Sequence, residues 1–158
     1  MKDFFFLVLG LIFIFGSIFL FLKQPYHGEN QRRILKIDET SIEVEVADTA
    51  ETRMQGLSDR EVLPEGTGMF FVFEKPAPYG FIFSSAGSNK FWMKGMNFAI
   101  DIVWVNESFE VVGIENDISP ETFPKIFYPN IAIKYVLEVP SGFSRNHGID
   151  IGDIMYFE

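Results

Sequence analysis

The sequence predicts a mainly β domain, a small antiparallel, curled or barrel-like sheet with two short helices, preceded by one N-terminal transmembrane helix. Three observations predict it. Phe4 to Leu22 is a run of 19 residues without a charge. About seven short apolar stretches follow, with polarity alternating along several of them and turn residues between them. Helical spacing occurs only twice, and never in a repeating strand–helix–strand order. That favours sequential antiparallel pairing over a parallel sheet covered by helices.

The first segment reads FFFLVLGLIFIFGSIFLFL, interrupted only by Gly10, Gly16 and Ser17. As a helix it is roughly 28 Å long, close to the hydrocarbon thickness of a bilayer. It carries no polar stripe of the kind a soluble helix shows. The stretch exceeds the usual apolar region of a signal peptide, and no small-residue cleavage site follows Leu22. Lys23-Gln24-Pro25-Tyr26 reads as an exit from the bilayer. Residues 1–23 are therefore expected to be a retained membrane anchor or uncleaved signal, with the membrane as partner through residues 4–22. A count of positive charges, Lys2 on one side against Lys23, Arg32 and Arg33 on the other, places the domain inside. The short N-terminal tail has the form of a signal anchor, which places it outside. The expectation is a single-pass protein with an extracytoplasmic soluble domain.

Residues 24–33 read as a juxtamembrane linker and 34–158 as the β-rich domain. Ile34 and Ile37, then Ile42, Val44 and Val46, flank Asp38-Glu39-Thr40-Ser41 in a hairpin pattern. The period changes over Asp48 to Arg60. There Asp48 with Glu51 forms a candidate capping box, Ala50, Met54 and Leu57 take helical spacing, and the helix is expected to end near Ser58. Met69–Phe73 is a short apolar strand, broken by Pro76, Pro78 and Gly80. Ile82 to Lys90 reads as a loop, and Phe91-Trp92-Met93 as a resumed strand. Ala99–Val105 and Phe109–Ile114 flank the turn Asn106-Glu107-Ser108. Asp117 to Asn130 contains three prolines and reads as irregular. Ile133–Val139 is a strand, Ser141 caps a helical turn or two ending at Gly148, and Ile154–Phe157 closes the chain as a last strand.

Charge and composition exclude several function classes. Beyond residue 23 there are 11 Lys and Arg against 21 Asp and Glu, a net charge of −10. Such a domain repels phosphate backbones, so nucleic acid is not an expected partner. The sequence has no Cys, which removes disulfides, thiolate nucleophiles and cysteine-ligated metals. His27 and His147 are isolated and do not make a metal site. There is no phosphate-binding glycine loop and no nucleophile elbow. No cofactor, metal or catalytic residue is predicted.

A series of motifs carries a resemblance. In order they are Arg53-Met54-Gln55-Gly56-Leu57, Arg60, Leu63, Gly68-Met69-Phe70-Phe71-Val72-Phe73, Phe91-Trp92-Met93-Lys94, Asp101-Ile102, Leu137-Glu138-Val139, Gly148-Ile149 and Gly152-Asp153. This order resembles the family called domain of unknown function 192, also uncharacterised protein family 0127, over roughly residues 36 to 158. The family's usual F-W-M-K-N-T continues here as Gly95 and Met96 after Lys94. Ala99 stands where a proline usually precedes L-D, and Phe81–Lys90 is additional loop. The resemblance implies a compact β-rich fold and frequent export. It implies no established activity and supplies no catalytic residues.

The candidate ligand-binding residues are Arg53, Gly56, Arg60, Trp92, Lys94 and Asp101. On one continuous helix Arg53 and Arg60 share a face, with Gly56 allowing close approach. Guanidinium groups bind carboxylates through a two-pronged fork. The plainer alternative is that each arginine makes a structural ion pair with an acid at the core edge, such as Asp101 or Glu138. Trp92 beside Lys94 is either a stacking surface for a sugar or flat ligand, or a core aromatic. Asp101 and Glu138 both interrupt apolar strands, and a hydrolase would use them as a carboxylate pair. Taken together, the sequence favours a binding or accessory module for an envelope component, such as a polysaccharide or an anionic ligand. The alternatives are that hydrolase and a structural protein-interaction domain with residues 117–130 as its contact surface.

Overall fold

The computed structural model describes residues 31–77, 91–129 and 131–158. The predicted membrane helix, the linker up to Asn30, His27 and the Ile82–Lys90 loop lie outside them. Among the described residues no helix is long and apolar enough to cross a membrane.

The described chain forms one seven-stranded sheet with two short helices. β1 (Arg32–Ile37) and β2 (Thr40–Ala47) make the predicted hairpin. α1 (Ala50–Gln55) leads to β3 (Thr67–Ala77). β4 (Ile100–Val105) and β5 (Val111–Ile118) make the second hairpin. A 3-10 turn at Pro120–Thr122 interrupts the irregular stretch before β6 (Ile133–Pro140). α2 (Phe143–Asn146) and β7 (Met155–Phe157) complete the fold.

The strand order is β5-β4-β6-β3-β2-β1-β7. The sheet is curled, and its two edge strands meet at one end. Glu110 bridges Ile154, and Val111 exchanges hydrogen bonds with Gly152 and Asp153. Seven strands thus roll into a half-barrel. The rolling satisfies backbone groups that an open edge would expose.

Pairing is antiparallel except between β2 and β3, which run parallel. The sheet is therefore mostly antiparallel, as expected, with one parallel pair that the sequence did not announce. Its cause is the connection: the chain leaves β2, crosses through α1 and returns in the same direction, as parallel pairs require. Several local expectations also change. The α1 cap is Thr49, whose hydroxyl accepts from Thr52 N–H while the Thr52 hydroxyl receives the Thr49 N–H, so Asp48 and Glu51 do not form the box. The helix stops at Gln55, earlier than expected. Gly56 follows at φ +51°, a conformation that glycine adopts without a Cβ penalty. Met54 is 79% exposed, so the expected apolar face of α1 is absent. β3 runs through Pro76 to Ala77. A register shift against β6 between Val72 and Ala77 lets the proline stand there without a ladder hydrogen bond. Phe91 makes one bridge, to Phe127, rather than starting a strand. α2 is entered through Gly142 with no side-chain cap. The Ser141 hydroxyl instead donates to Asp117.

Both faces of the sheet are buried. Phe70, Leu35, Ile42, Val103, Leu137 and Phe143 belong to the cluster on the enclosed side. Met69, Phe71, Ile102, Trp104 and Val136 belong to the cluster on the other side. Leu57, Leu63, Phe91, Met93 and Phe127 pack over that side from the connecting segments. This covered outer face carries the candidate site.

Candidate functional site

The site begins with α1 and the turn after it. Arg53 sits in the last turn of α1 and points at the sheet. Its Nη1 donates to the carbonyls of Asp48 and of Val72, the latter at 2.9 Å, and its guanidinium lies 5.5 Å from the centre of the Phe73 ring. Gly56 then turns the chain, and its Cα faces the Phe71 ring, 3.5 Å from where a Cβ would stand. The following residues are tied to the segment carrying Trp92. The Ser58 hydroxyl donates to the Lys94 carbonyl at 2.9 Å, Asp59 N–H to the Gly95 carbonyl at 2.8 Å, and Asn97 to the Arg60 carbonyl at 2.8 Å. Phe91 is pinned to Phe127 by two backbone hydrogen bonds and is buried against Phe71 and Trp104.

These ties bring Arg53, Gly56, Phe71, Phe91, Trp92 and Glu138 around one open pocket of about 70 Å³. Trp92 is 50% exposed, so it is a surface aromatic and not the core residue of the plainer reading. Its flanking neighbours Phe91 and Met93 take the core positions. Trp92 meets the Phe123 ring edge-on at 5.9 Å, and the Lys94 ammonium lies 5.7 Å from its centre.

Glu138 is the acid of this pocket. It is directly opposite Met69 on β3 and Ile102 on β4, and it is only 7% exposed. Burial pushes its carboxyl up to about 8, and the Arg60 guanidinium draws it partly back. It is thus mostly uncharged at neutral pH, a hydrogen-bond donor as well as an acceptor.

The remaining candidates lie elsewhere. Arg60 is past the end of α1 and shares no helix face with Arg53. Both of its terminal nitrogens donate at 2.7 Å to the two carboxylate oxygens of Glu45, a two-pronged pair that raises the Arg60 pKa. The ion pair of the plainer reading exists, with Glu45 and not Asp101 or Glu138 as partner. Arg60 and Glu45 border a neighbouring depression of about 160 Å³ with Arg32 and Glu43. Asp101 is fully buried and belongs to neither. One oxygen accepts from Asp117 N–H at 2.9 Å and Gly142 N–H at 3.0 Å, the other from Ser144 N–H at 3.0 Å. Asp101 lies opposite Val139 and Glu138 opposite Ile102, so the two carboxyls project from opposite faces of the sheet. They form no pair, and the two-carboxylate arrangement is corrected accordingly. His147 caps the end of α2, with Nδ1 3.0 Å from the Phe143 carbonyl. Among the described residues no three His, Asp or Glu side chains are grouped to hold a metal ion.

Sequence reasoning missed Glu45 as the partner of Arg60 and Phe123 as the partner of Trp92, and it did not place Glu138 with Arg53 and Trp92. For Glu138 a signal existed. It alternates with Val136 on one side of IKYVLEV, while Asp101 alternates with Val103 and Val105.

Solved structures share this fold. A protein of unknown function from Novosphingobium aromaticivorans superposes with a TM-score of 0.71 at 23% identity, covering 84% of this chain and 89% of its own. A crystal structure from Sinorhizobium meliloti, described as a candidate transcription regulator, superposes with a TM-score of 0.70 at 21% identity, covering 81% of this chain and 95% of its own. No curated protein matches the sequence at a significant level. The sequence model of the family DUF192, described as an uncharacterized ACR, matches residues 33–157, the whole extent of the sheet but for its first residue. The chain belongs to the DUF192 family.

Proposed function

We propose that this protein is a membrane-tethered, extracytoplasmic binding module for an envelope component, with the pocket between Arg53, Gly56, Trp92 and Glu138 as its ligand site. The observation that carries the reading is Trp92. A large aromatic half exposed beside a concave surface is the usual platform for the apolar face of a sugar ring. The walls supply what a hydroxylated ligand needs next to such a platform. Arg53 donates, and Glu138 both donates and accepts. The pocket is small and open, which suits an edge of one sugar unit rather than a long segment. Among the described residues no second acid lines it, and this favours binding over hydrolysis, which calls for two carboxylates flanking one bond. The tether rests on the uncharged run of residues 4–22, which is long enough to span a bilayer.

Two experiments test the reading. The full chain is screened on an envelope glycan array, and hits are measured against Trp92→Ala. The expected result is binding to at least one glycan and loss of roughly tenfold or more in affinity on removing the indole. Absence of any hit, or unchanged affinity in Trp92→Ala, overturns the site. Protease added to intact cells is expected to degrade the domain, and protection of it overturns the outward orientation.

A further inference from the structure

The charges in the pocket narrow the ligand. Among the described residues only Nη1 of Arg53 is engaged, and it is engaged by carbonyls, which hold the guanidinium in place without neutralising it. Among the described residues no carboxylate forms an ion pair with Arg53. Among the described residues the Nε and Nη2 edge of the fork has no acceptor, so its donors and its charge are left to face a ligand. Across the pocket, the Glu138 side chain makes no hydrogen bond among the described residues. The charged group nearest to it in effect, Arg60, is already held by Glu45. The neighbours opposite Glu138 on β3 and β4, Met69 and Ile102, are uncharged. Among the described residues the cations around it are Arg53, which lines the same pocket, and Arg60, whose charge draws its carboxyl down, while Lys94 lies by the Trp92 ring.

We propose that the pocket selects an acidic sugar of the uronate class. Its carboxylate is held between the free edge of the Arg53 guanidinium and a hydrogen bond donated by the Glu138 carboxyl, and its ring lies against Trp92. The proposal rests on the binding reading above and names the ligand class for that site. A carboxylate brings one negative charge to one uncompensated positive charge, so the filled pocket is neutral. A neutral sugar leaves Arg53 unpaired, and a phosphate dianion leaves an excess charge against the buried Glu138. The geometry matches a planar carboxylate to a planar fork. Since burial holds Glu138 protonated up to about pH 8, the donor is present at neutral pH and is lost in base. Binding then requires one proton on Glu138, and affinity falls about tenfold per pH unit once that proton is gone.

The test uses the full chain in a detergent without a sugar headgroup. Calorimetry compares methyl glucuronide, methyl glucoside and inorganic phosphate at pH 6.5 and pH 9.5. The expected result is that glucuronide binds at pH 6.5 about tenfold or more tightly than glucoside or phosphate. By pH 9.5 its affinity has dropped about tenfold or more. Glu138→Gln, which keeps a donor at every pH, binds glucuronide equally at the two pH values. Equal affinity for glucuronide and glucoside overturns the acidic class while leaving the binding module standing. Tighter binding of phosphate overturns the carboxylate assignment. A flat pH profile in the unmodified protein overturns the role of Glu138. Failure of all three probes to bind overturns this inference, while a hit for another glycan on the array would still sustain the module.

Discussion

Gly68 lies with its Cα against the backbone of Glu138. A Cβ at Gly68 would stand 2.7 Å from the Glu138 carbonyl oxygen and 3.2 Å from a Val139 methyl. The obstruction is backbone, which cannot swing aside as a side chain can. Gly68→Ala is therefore expected to destabilise the domain by about 1–3 kcal/mol through forced separation of β3 from β6. Urea unfolding of the variant measures this, and an unchanged midpoint would show that the two strands yield without cost. The same separation would move the floor of the pocket, because Glu138 is carried on that stretch of β6.

Asp101 organises the other face of the sheet, at the start of β4. Its carboxylate gathers three backbone N–H groups from two distant segments, Asp117 at the end of β5 and Gly142 and Ser144 at the start of α2. Asp117 in turn accepts from the Ser141 hydroxyl and pairs with Arg145, both of which lower its pKa. Removing the Asp101 carboxylate leaves its three donors without their acceptor. Asp101→Ala is expected to cost roughly 3 kcal/mol of stability, with Asp101→Asn intermediate. The ligand pocket is on the other face, so affinity per folded molecule stays the same. Denaturant unfolding and a binding titration on the same samples separate the two effects.

The contrast between these two acids shows what the sequence could and could not convey. Alternation in AIDIVWV and IKYVLEV reveals that Asp101 shares a face with Val103 and Val105, and Glu138 with Val136. It cannot reveal which faces of two separate strands coincide, because that depends on pairing register across the sheet. The hairpins β1–β2 and β4–β5 were legible because their turns are local and their apolar residues recur with the strand period. The apolar residues of β1 do not all lie on one face. Leu35 and Ile37 are buried, whereas Ile34 is 37% exposed, since the register puts Ile34 opposite Glu43. The parallel β2–β3 pair was not legible, as nothing in the residues themselves fixes strand direction across a crossover. Arg53 and Trp92 were singled out by residue type. Their meeting depends on hydrogen bonds from Ser58 and Asp59 to residues 94 and 95, which no spacing rule encodes.

Stability should carry a pH signature from Glu138. Its carboxyl is raised to about 8 in the folded domain by burial, against an ordinary value near 4.5 when unfolded. Below the unfolded value both states hold the proton, and the folded state has its full relative stability. Between the two values the folded domain holds a proton that the unfolded chain has lost, so stability falls as pH rises. Above about 8 both states are ionised and the loss is complete. The expected loss between pH 5 and pH 8.5 is on the order of a few kcal/mol from this one group. In Glu138→Gln this part of the slope disappears. Urea unfolding across that range, on both proteins, is the measurement. A slope that persists in Glu138→Gln would assign the titration to other groups.

The two tryptophans give an optical reading of the site. Trp104 is 2% exposed in the core beneath Phe91, while Trp92 is 50% exposed at the pocket. Trp92→Phe is a surface change that preserves a ring against Phe123, and its effect on stability is expected to stay within about 0.5 kcal/mol. The unmodified protein should show two emission components, one quenched by soluble ions and one protected, and Trp92→Phe should retain only the protected one. The sign of the quencher matters as well. Lys94 beside the indole and the uncompensated Arg53 across the pocket attract anions, so iodide should quench Trp92 more strongly than caesium despite the domain's net negative charge. Raising the pH through 8 ionises Glu138 and places a negative charge in the same pocket, so the preference for iodide should shrink there and stay constant in Glu138→Gln. Stronger quenching by caesium at neutral pH would mean that the acidic surface, and not the pocket cations, sets the local potential. That result would remove the electrostatic ground for an anionic ligand.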